Sequence, residues 1–183
     1  MRGIDVSHWN HWSDLFKHDT DFIIAKLTEG KSITDYTAYI YEALAEVYER
    51  PFGVYHFAHP EKNNVQDEII HFLKQWKKFK KKPRWIALDI EGAALTLSDG
   101  ELDYWCYEWL RQIEKETGAG VLLYCSQSQC KRFTDRIARN FELWVARYRK
   151  EEMGYGDVSP WNTARIWQYD NKEVDKNIMY ERS

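Results

Sequence analysis

Short apolar runs alternate with amphipathic stretches along this chain, and their order predicts strands separated by helices. Phe22-Ile23-Ile24-Ala25-Lys26-Leu27, Phe52 to Phe57, Val121 to Tyr124, Leu143 to Tyr148 and Ala164 to Tyr169 are too short for helices and rich in β-branched or aromatic residues. They read as buried strands. Trp85-Ile86-Ala87-Leu88 is another apolar run and leads into Asp89-Ile90-Glu91. Arg2 to Ser7 reads as an opening strand and Val174 to Tyr180 as a closing one. Helical spacing appears between them. Tyr36 to Tyr48 would place Ile40, Leu44 and Val47 on one side, with Arg50-Pro51 as the stop. From Asn63 to about Phe79, Val65, Ile69, Phe72, Leu73 and Trp76 share a face. Ser98-Asp99-Gly100-Glu101 has capping-box form and opens a helix that points Leu102, Trp105, Cys106, Trp109 and Ile113 inward and ends at Gly118. Ser126-Gln127-Ser128-Gln129 has a similar form, with Cys130, Phe133 and Ile137 inward, and Ser13 to Phe16 suggests one short helical turn.

The tally is about eight strands. The first five alternate with helices and the last three are joined by loops. Alternation implies parallel pairing. The expected fold class is therefore α/β, an irregular TIM-like (β/α)5(β)3 barrel, with an open doubly wound sheet as the alternative. The 183 residues are expected to form one domain, 1–183.

Composition narrows the function. At 44% apolar and 30% charged residues the chain reads as globular, and no run approaches the roughly 20 apolar residues of a membrane span. A net charge of −3 argues against a general nucleic-acid binder. Aromatic residues reach 16%, and such rings either fill cores or stack on sugars. The three cysteines, Cys106, Cys125 and Cys130, lack zinc-ligand spacing and read as free thiols, Cys106 in the core. Lys74, Lys77, Lys78, Lys80, Lys81 and Lys82 gather at the end of one helix, as a solvated face or as a contact for an anionic polymer. There is no G-x-G-x-x-G, P-loop, G-x-S-x-G or H-E-x-x-H.

The chemistry gathers at Asp89 and Glu91. Side chains at i and i+2 of a strand share a face, so the two acids project together from a strand's C-terminal end. Two close carboxylates cannot both ionise freely, and a protonated acid beside a charged one suits acid-catalysed glycoside cleavage. The plainer reading has them capping the next loop. Asp5 alternates against Ile4 and Val6 and points either into the barrel or to solvent. His56 and His59 read as hydrogen-bonded residues rather than a metal pair, since no third ligand has fitting spacing.

Several segments together resemble the family 25 glycoside hydrolases, the Chalaropsis-type muramidases. They are Gly3-Ile4-Asp5-Val6-Ser7-His8-Trp9, Phe22 to Lys26 with Thr28-Glu29-Gly30, Gly53-Val54-Tyr55-His56-Phe57, Leu88-Asp89-Ile90-Glu91, Leu143 to Tyr148, Trp167-Gln168-Tyr169 and Val174-Asp175-Lys176-Asn177. The resemblance implies cleavage of the β-1,4 bond between N-acetylmuramic acid and N-acetylglucosamine. It implies Glu91 as general acid, raised in pKa by Asp89 and its neighbours, with Asp89 as partner and Asp5 and Asp175 as further site carboxylates. Trp9, Lys26, Tyr55, Tyr124, Trp144 and Gln168 are the implied groove residues. Either a carboxylate attacks directly, or the substrate's N-acetyl group attacks while Asp89 orients it; the D-x-E pair resembles substrate-assisted glycosidases. No metal or cofactor is implied. The implied partner is bacterial peptidoglycan, met by a monomer without membrane insertion.

The segment from Gln168 to Asp175 is shorter than relatives often carry. Met1 to Asp5 holds no apolar leader, so the wall would be reached by phage-type release or from a trimmed secreted form. Rival readings are a barrel that holds glycan without cutting it, a hydrolase using the four acids as metal ligands, and an interaction protein whose aromatics are only core.

Overall fold

The computed structural model describes residues 1–17 and 20–181. Eight strands close into a barrel: β1 (Arg2–Val6), β2 (Phe22–Glu29), β4 (Phe52–Phe57), β5 (Trp85–Asp89), β6 (Gly120–Ser126), β7 (Glu142–Ala146), β8 (Ile166–Asp170) and β9 (Asp175–Met179). A two-residue strand, β3 (Ile33–Thr34), pairs antiparallel on β2 and was not legible in the sequence. The pairings β1–β2 and β1–β9 close the ring, which rules out the open sheet. Neighbours from β1 through β8 pair in parallel, and β9 runs antiparallel to both β8 and β1. The four residues between β8 and β9 cannot make the crossover that a parallel pair needs, which takes a dozen or more.

Alternation sorts the strand residues into two apolar layers. One face of each strand meets the helices: Ile4, Val6, Ile23, Val54, Ile86, Leu88, Leu123 and Val145 lie there, fully or almost fully buried. The other face fills the barrel with Phe22, Ile24, Ala87, Leu122, Ile166 and Met179. The floor is crowded. A Cβ at Gly3 would lie 2.6 Å from the Phe22 ring, and one at Gly53 would lie 3.2 Å from the Trp85 carbonyl oxygen. Glycine at these two positions makes room for an edge-on Phe22–Trp85 pair, 6.1 Å between ring centroids.

The helices are α1 (Asp14–Lys17), α2 (Thr37–Val47), α3 (Val65–Trp76), α4 (Asp99–Thr117) and α5 (Asp135–Asn140). The Ser98/Glu101 capping box forms in α4, and Gly118 ends that helix with φ +65°. Two expectations fail. On α2 the buried face is Ala38, Tyr41 and Ala45, while Ile40 and Val47 are exposed and Leu44 is only partly buried. The two alanines let the helix approach β2 closely, and close packing outweighs the larger side chains. Ser126 to Gln129 does not cap a helix either. Gln127–Arg132 is a 3-10 turn, and α5 starts only after Thr134. Asp103 of α4 accepts from both the backbone N and Oγ1 of Thr134, a tertiary contact that fixes the later start. Cys130, Phe133 and Ile137 are nonetheless buried.

Candidate active site

The polar residues of the barrel interior collect at the C-terminal ends of the parallel strands. Because β9 runs the other way, its first residue, Asp175, reaches that mouth. There it stands directly opposite Asp5 in the β1–β9 ladder. Two like charges placed so oppose each other. β5 ends at Asp89, but the chain stays extended through Glu91 (φ −153°, ψ −177°). Ile90 therefore turns into the helix-side core, and Asp89 and Glu91 turn to the mouth.

A cavity of about 170 Å³ is lined by Asp5, Tyr55, Asp89, Glu91, Tyr124, Trp144, Gln168 and Asp175, together with Tyr148 and Asn171. Eight of the ten residues singled out from the sequence thus meet in one place. Trp9 does not line it; it projects into solvent at 84% exposure on the loop after β1. Lys26 lies beside the cavity rather than in its lining, with Nζ 2.7 Å from Glu29 and 4.8 Å from the centre of the Phe57 ring. A wider groove of about 690 Å³ adjoins the cavity and shares Tyr148 and Asn171 with it.

Hydrogen bonds fix the cavity wall. Asp5 Oδ2 accepts from Gln168 Nε2 at 2.8 Å and from Asn177 Nδ2 at 2.7 Å. Gln168 Oε1 accepts from the hydroxyls of Tyr124 and Tyr148, both at 2.8 Å, so its amide can face Asp5 only with the nitrogen. Trp144 Nε1 donates to Asn177 Oδ1 at 2.8 Å. Sequence reasoning missed Asn177 and Tyr148 as site residues. Asn177 stands at i+2 from Asp175, the same spacing that singled out Glu91 beside Asp89.

Asp89 is treated differently from Asp5. It is buried, and its Oδ1 has no hydrogen-bond partner among the described residues. Burial pushes Asp89 well above the usual carboxylate range, and the charges of Glu91 and Asp5 push it further. Glu91 is also raised, with burial the leading cause, and its charge is tied to that of Asp89, which it raises in turn. Asp5 is raised well above its usual value by burial and then by Asp175. Asp175 is raised to about 6, first by burial, while Asp5 beside it draws it down. The Lys26 ammonium opposes the rise at both Asp89 and Glu91. Such a mouth binds protons more tightly than isolated acids do, and its groups titrate jointly.

His56 and His59 hold other carboxylates. His56 is fully buried between the sheet and α3, its Nε2 2.7 Å from Glu68 and its Nδ1 2.8 Å from Thr28 Oγ1. His59 reaches Glu29 at 3.0 Å and Glu61 at 2.9 Å. The three cysteines are free and buried.

The sequence profile of glycosyl hydrolases family 25 matches residues 4–178. No curated protein matches the chain. Among solved structures, the muramidase from Trichobolus zukalii has a similar fold, with a TM-score of 0.83 and 22% identity over 100% of this chain and 94% of that one. The bacterial lysozyme from Streptomyces coelicolor has a TM-score of 0.83 and 24% identity, over 99% and 92% of the two chains. The modular Cpl-1 endolysin, solved with a peptidoglycan analogue, has a TM-score of 0.73 and 21% identity, over 98% of this chain and 54% of its own. A profile match running from the first strand to the last, on a barrel whose acids meet at one mouth, makes this chain a glycoside hydrolase of family 25.

Proposed function

We propose that this glycoside hydrolase is a lysozyme of the muramidase type, cutting the β-1,4 bond between N-acetylmuramic acid and N-acetylglucosamine in bacterial cell walls. The observation that carries the reading is the Asp89–Glu91 pair: one acid buried with a free oxygen, the other facing solvent, both holding protons above the usual range. Family membership and the muramidase and lysozyme among its structural relatives support the substrate class. The Cpl-1 endolysin complex supports the same class, since that protein holds a peptidoglycan analogue.

Glu91 is the member of the pair that a glycan strand can reach. Its proton passes to the glycosidic oxygen as the bond to the sugar's C1 breaks. The substrate's N-acetyl oxygen attacks C1 and carries the positive charge into a cyclic oxazolinium. Asp89, beneath, orients the acetamido nitrogen with its free oxygen. Glu91, now ionised, takes a proton from water and is restored as the acid, while the water oxygen bonds C1 and the C1–oxygen bond of the oxazolinium breaks to return the N-acetyl group. Where Asp5 is ionised, the form that its Gln168 and Asn177 donors favour, it adds negative potential where that positive charge develops. Tyr55 and Tyr124 line the cavity where a sugar would sit, each packed edge-on against the buried Trp144.

The test is release of reducing ends from purified cell walls, wild type against Glu91→Gln, identified by mass spectrometry. Muramic-acid reducing ends from wild type, reduced by about a thousandfold in the variant, are expected. Glucosamine ends would change the bond assigned. No release from wild type would leave a barrel that holds glycan without cutting it.

A further inference from the structure

Lys26 and Glu29 should not touch. In a regular strand, residues three apart lie on opposite faces. Here Lys26 Nζ is 2.7 Å from Glu29 Oε2. The cause is a bulge in β2: Lys26 pairs with Tyr55 of β4, but the next pair is Thr28 with His56, so Leu27 is the extra residue. Such an insertion reverses the alternation that follows. Leu27 joins the helix-side core, Thr28 bonds His56 on that same side, and Glu29 comes back toward the mouth beside Lys26.

Glu29 is itself held. Its Oε1 faces His59 Nε2 at 3.0 Å, and the other ring nitrogen of His59 faces Glu61 at 2.9 Å. The His59 backbone N donates to Glu68 at 3.2 Å, which ties the loop to the buried carboxylate of α3. Gly30, with φ +51°, lets this loop close: a Cβ there would lie 3.1 Å from Asn63 Nδ2 and 3.2 Å from His59 Cδ2. Burial works against the charge on Glu29, yet His59 and Lys26 keep it below the usual carboxylate range.

We propose that Glu29 is a positioning residue: clamped by His59, it holds the Lys26 ammonium off the Asp89–Glu91 pair and so limits how much of that positive charge the acids feel. The inference rests on the assignment of this pair as the acid machinery. Lys26 meets Glu29 on its own strand and Tyr55 and Phe57 on β4, with Nζ 4.8 Å from the centre of the Phe57 ring. Phe57 stands beside Asp89 in the β4–β5 ladder, and the Lys26 charge acts on Asp89 and Glu91 from there, with His59 and Glu61 behind Glu29. A general acid works while protonated, and a nearby cation favours its ionised form. Freeing the ammonium from Glu29 lowers the pH at which the pair loses its proton. Removing the ammonium raises it.

The experiment is a titration of the side-chain carboxyl carbons of Asp89 and Glu91 by NMR, which needs no turnover, beside pH profiles of wall hydrolysis. Glu29→Gln is expected to move the joint titration and the alkaline limb down by roughly one pH unit, and Lys26→Met to move both up by a similar amount. The double variant should match Lys26→Met, because Glu29 acts through Lys26. Shifts in the same direction, or an unchanged Glu29→Gln effect without Lys26, would overturn the proposal. Should Glu29→Gln not fold, Glu29→Asp withdraws the carboxylate by one methylene and should give a smaller downward shift; no shift would overturn it equally. If the carboxyls titrate as described while wild type releases no reducing ends, it is the lysozyme reading that fails.

Discussion

Two carboxylates lie buried on either side of the barrel wall, and the fold treats them in opposite ways. Glu68 on α3 sits outside the barrel, fully buried, and accepts from His56 at 2.7 Å, from Asn63 at 2.7 Å and from the His59 backbone at 3.2 Å. Burial lowers the pKa of His56 and so favours the neutral ring, and its two nitrogens meet Glu68 and Thr28 Oγ1. Asp89 sits inside the barrel with one oxygen unpartnered and with Glu91, Asp5 and Asp175 as neighbours. A carboxylate kept for structure is matched donor for donor. One kept for chemistry is left short, and the surrounding fold absorbs the cost.

That contrast breaks most sharply at Asp89. Asp89→Asn is expected to cut wall hydrolysis by about a hundredfold to ten-thousandfold while raising the melting temperature, because a neutral isostere removes a desolvated acid from among like charges. Kinetics and a thermal melt on the same preparation check both halves; a lowered melting temperature would contradict it. The reverse holds at Glu68. Glu68→Ala removes the partner of one buried and two half-buried donors and should cost about 3–5 kcal/mol in urea unfolding, with the folded fraction still active.

The acids at the mouth also give a pH signature. Asp175 is raised in the folded state to about 6, so its protonated form is favoured by folding. The stability it contributes is complete below the unfolded aspartate range and is lost as pH rises through about 6. Glu29 and Asp35 are lowered, so their contribution is lost instead as pH falls through their folded values. Melting curves between pH 4 and pH 7 should show a smaller fall for Asp175→Asn than for wild type, and parallel curves would refute the shift. The smallest effect is at the rim. Tyr148→Phe removes one of the two donors on Gln168 Oε1 and should slow hydrolysis by a few fold, about 1 kcal/mol, with Tyr124 still orienting the amide.

Asp89 was legible because a period of two carries face information directly; the same alternation set Asp5 opposite Ile4 and Val6, and only the closed barrel decided that its face points inward. Asn177 was equally available by that rule and went unread. Lys26 was placed in the groove by resemblance, but its partner Glu29 lies three residues away, where regular alternation forbids contact. A bulge has no signal in the composition of Leu27-Thr28-Glu29; it is set by the register of β2 against β4. Ile40 and Val47 misled because apolar size, not closeness of approach, was the only clue to the face of α2.

Local patterning was enough for the order of strands and helices, the α4 caps, the two-faced strands of a barrel and the family signature. These are local, fixed by backbone sterics and by the spacing of apolar residues along one segment. Only the tertiary structure decided the antiparallel return of β9, the later start of α5, the exposure of Trp9 and the unequal fates of Glu68 and Asp89. Each depends on which distant groups arrive at a given point in space. Desolvation and hydrogen bonding are sums over those neighbours, and the sequence of one segment does not contain them.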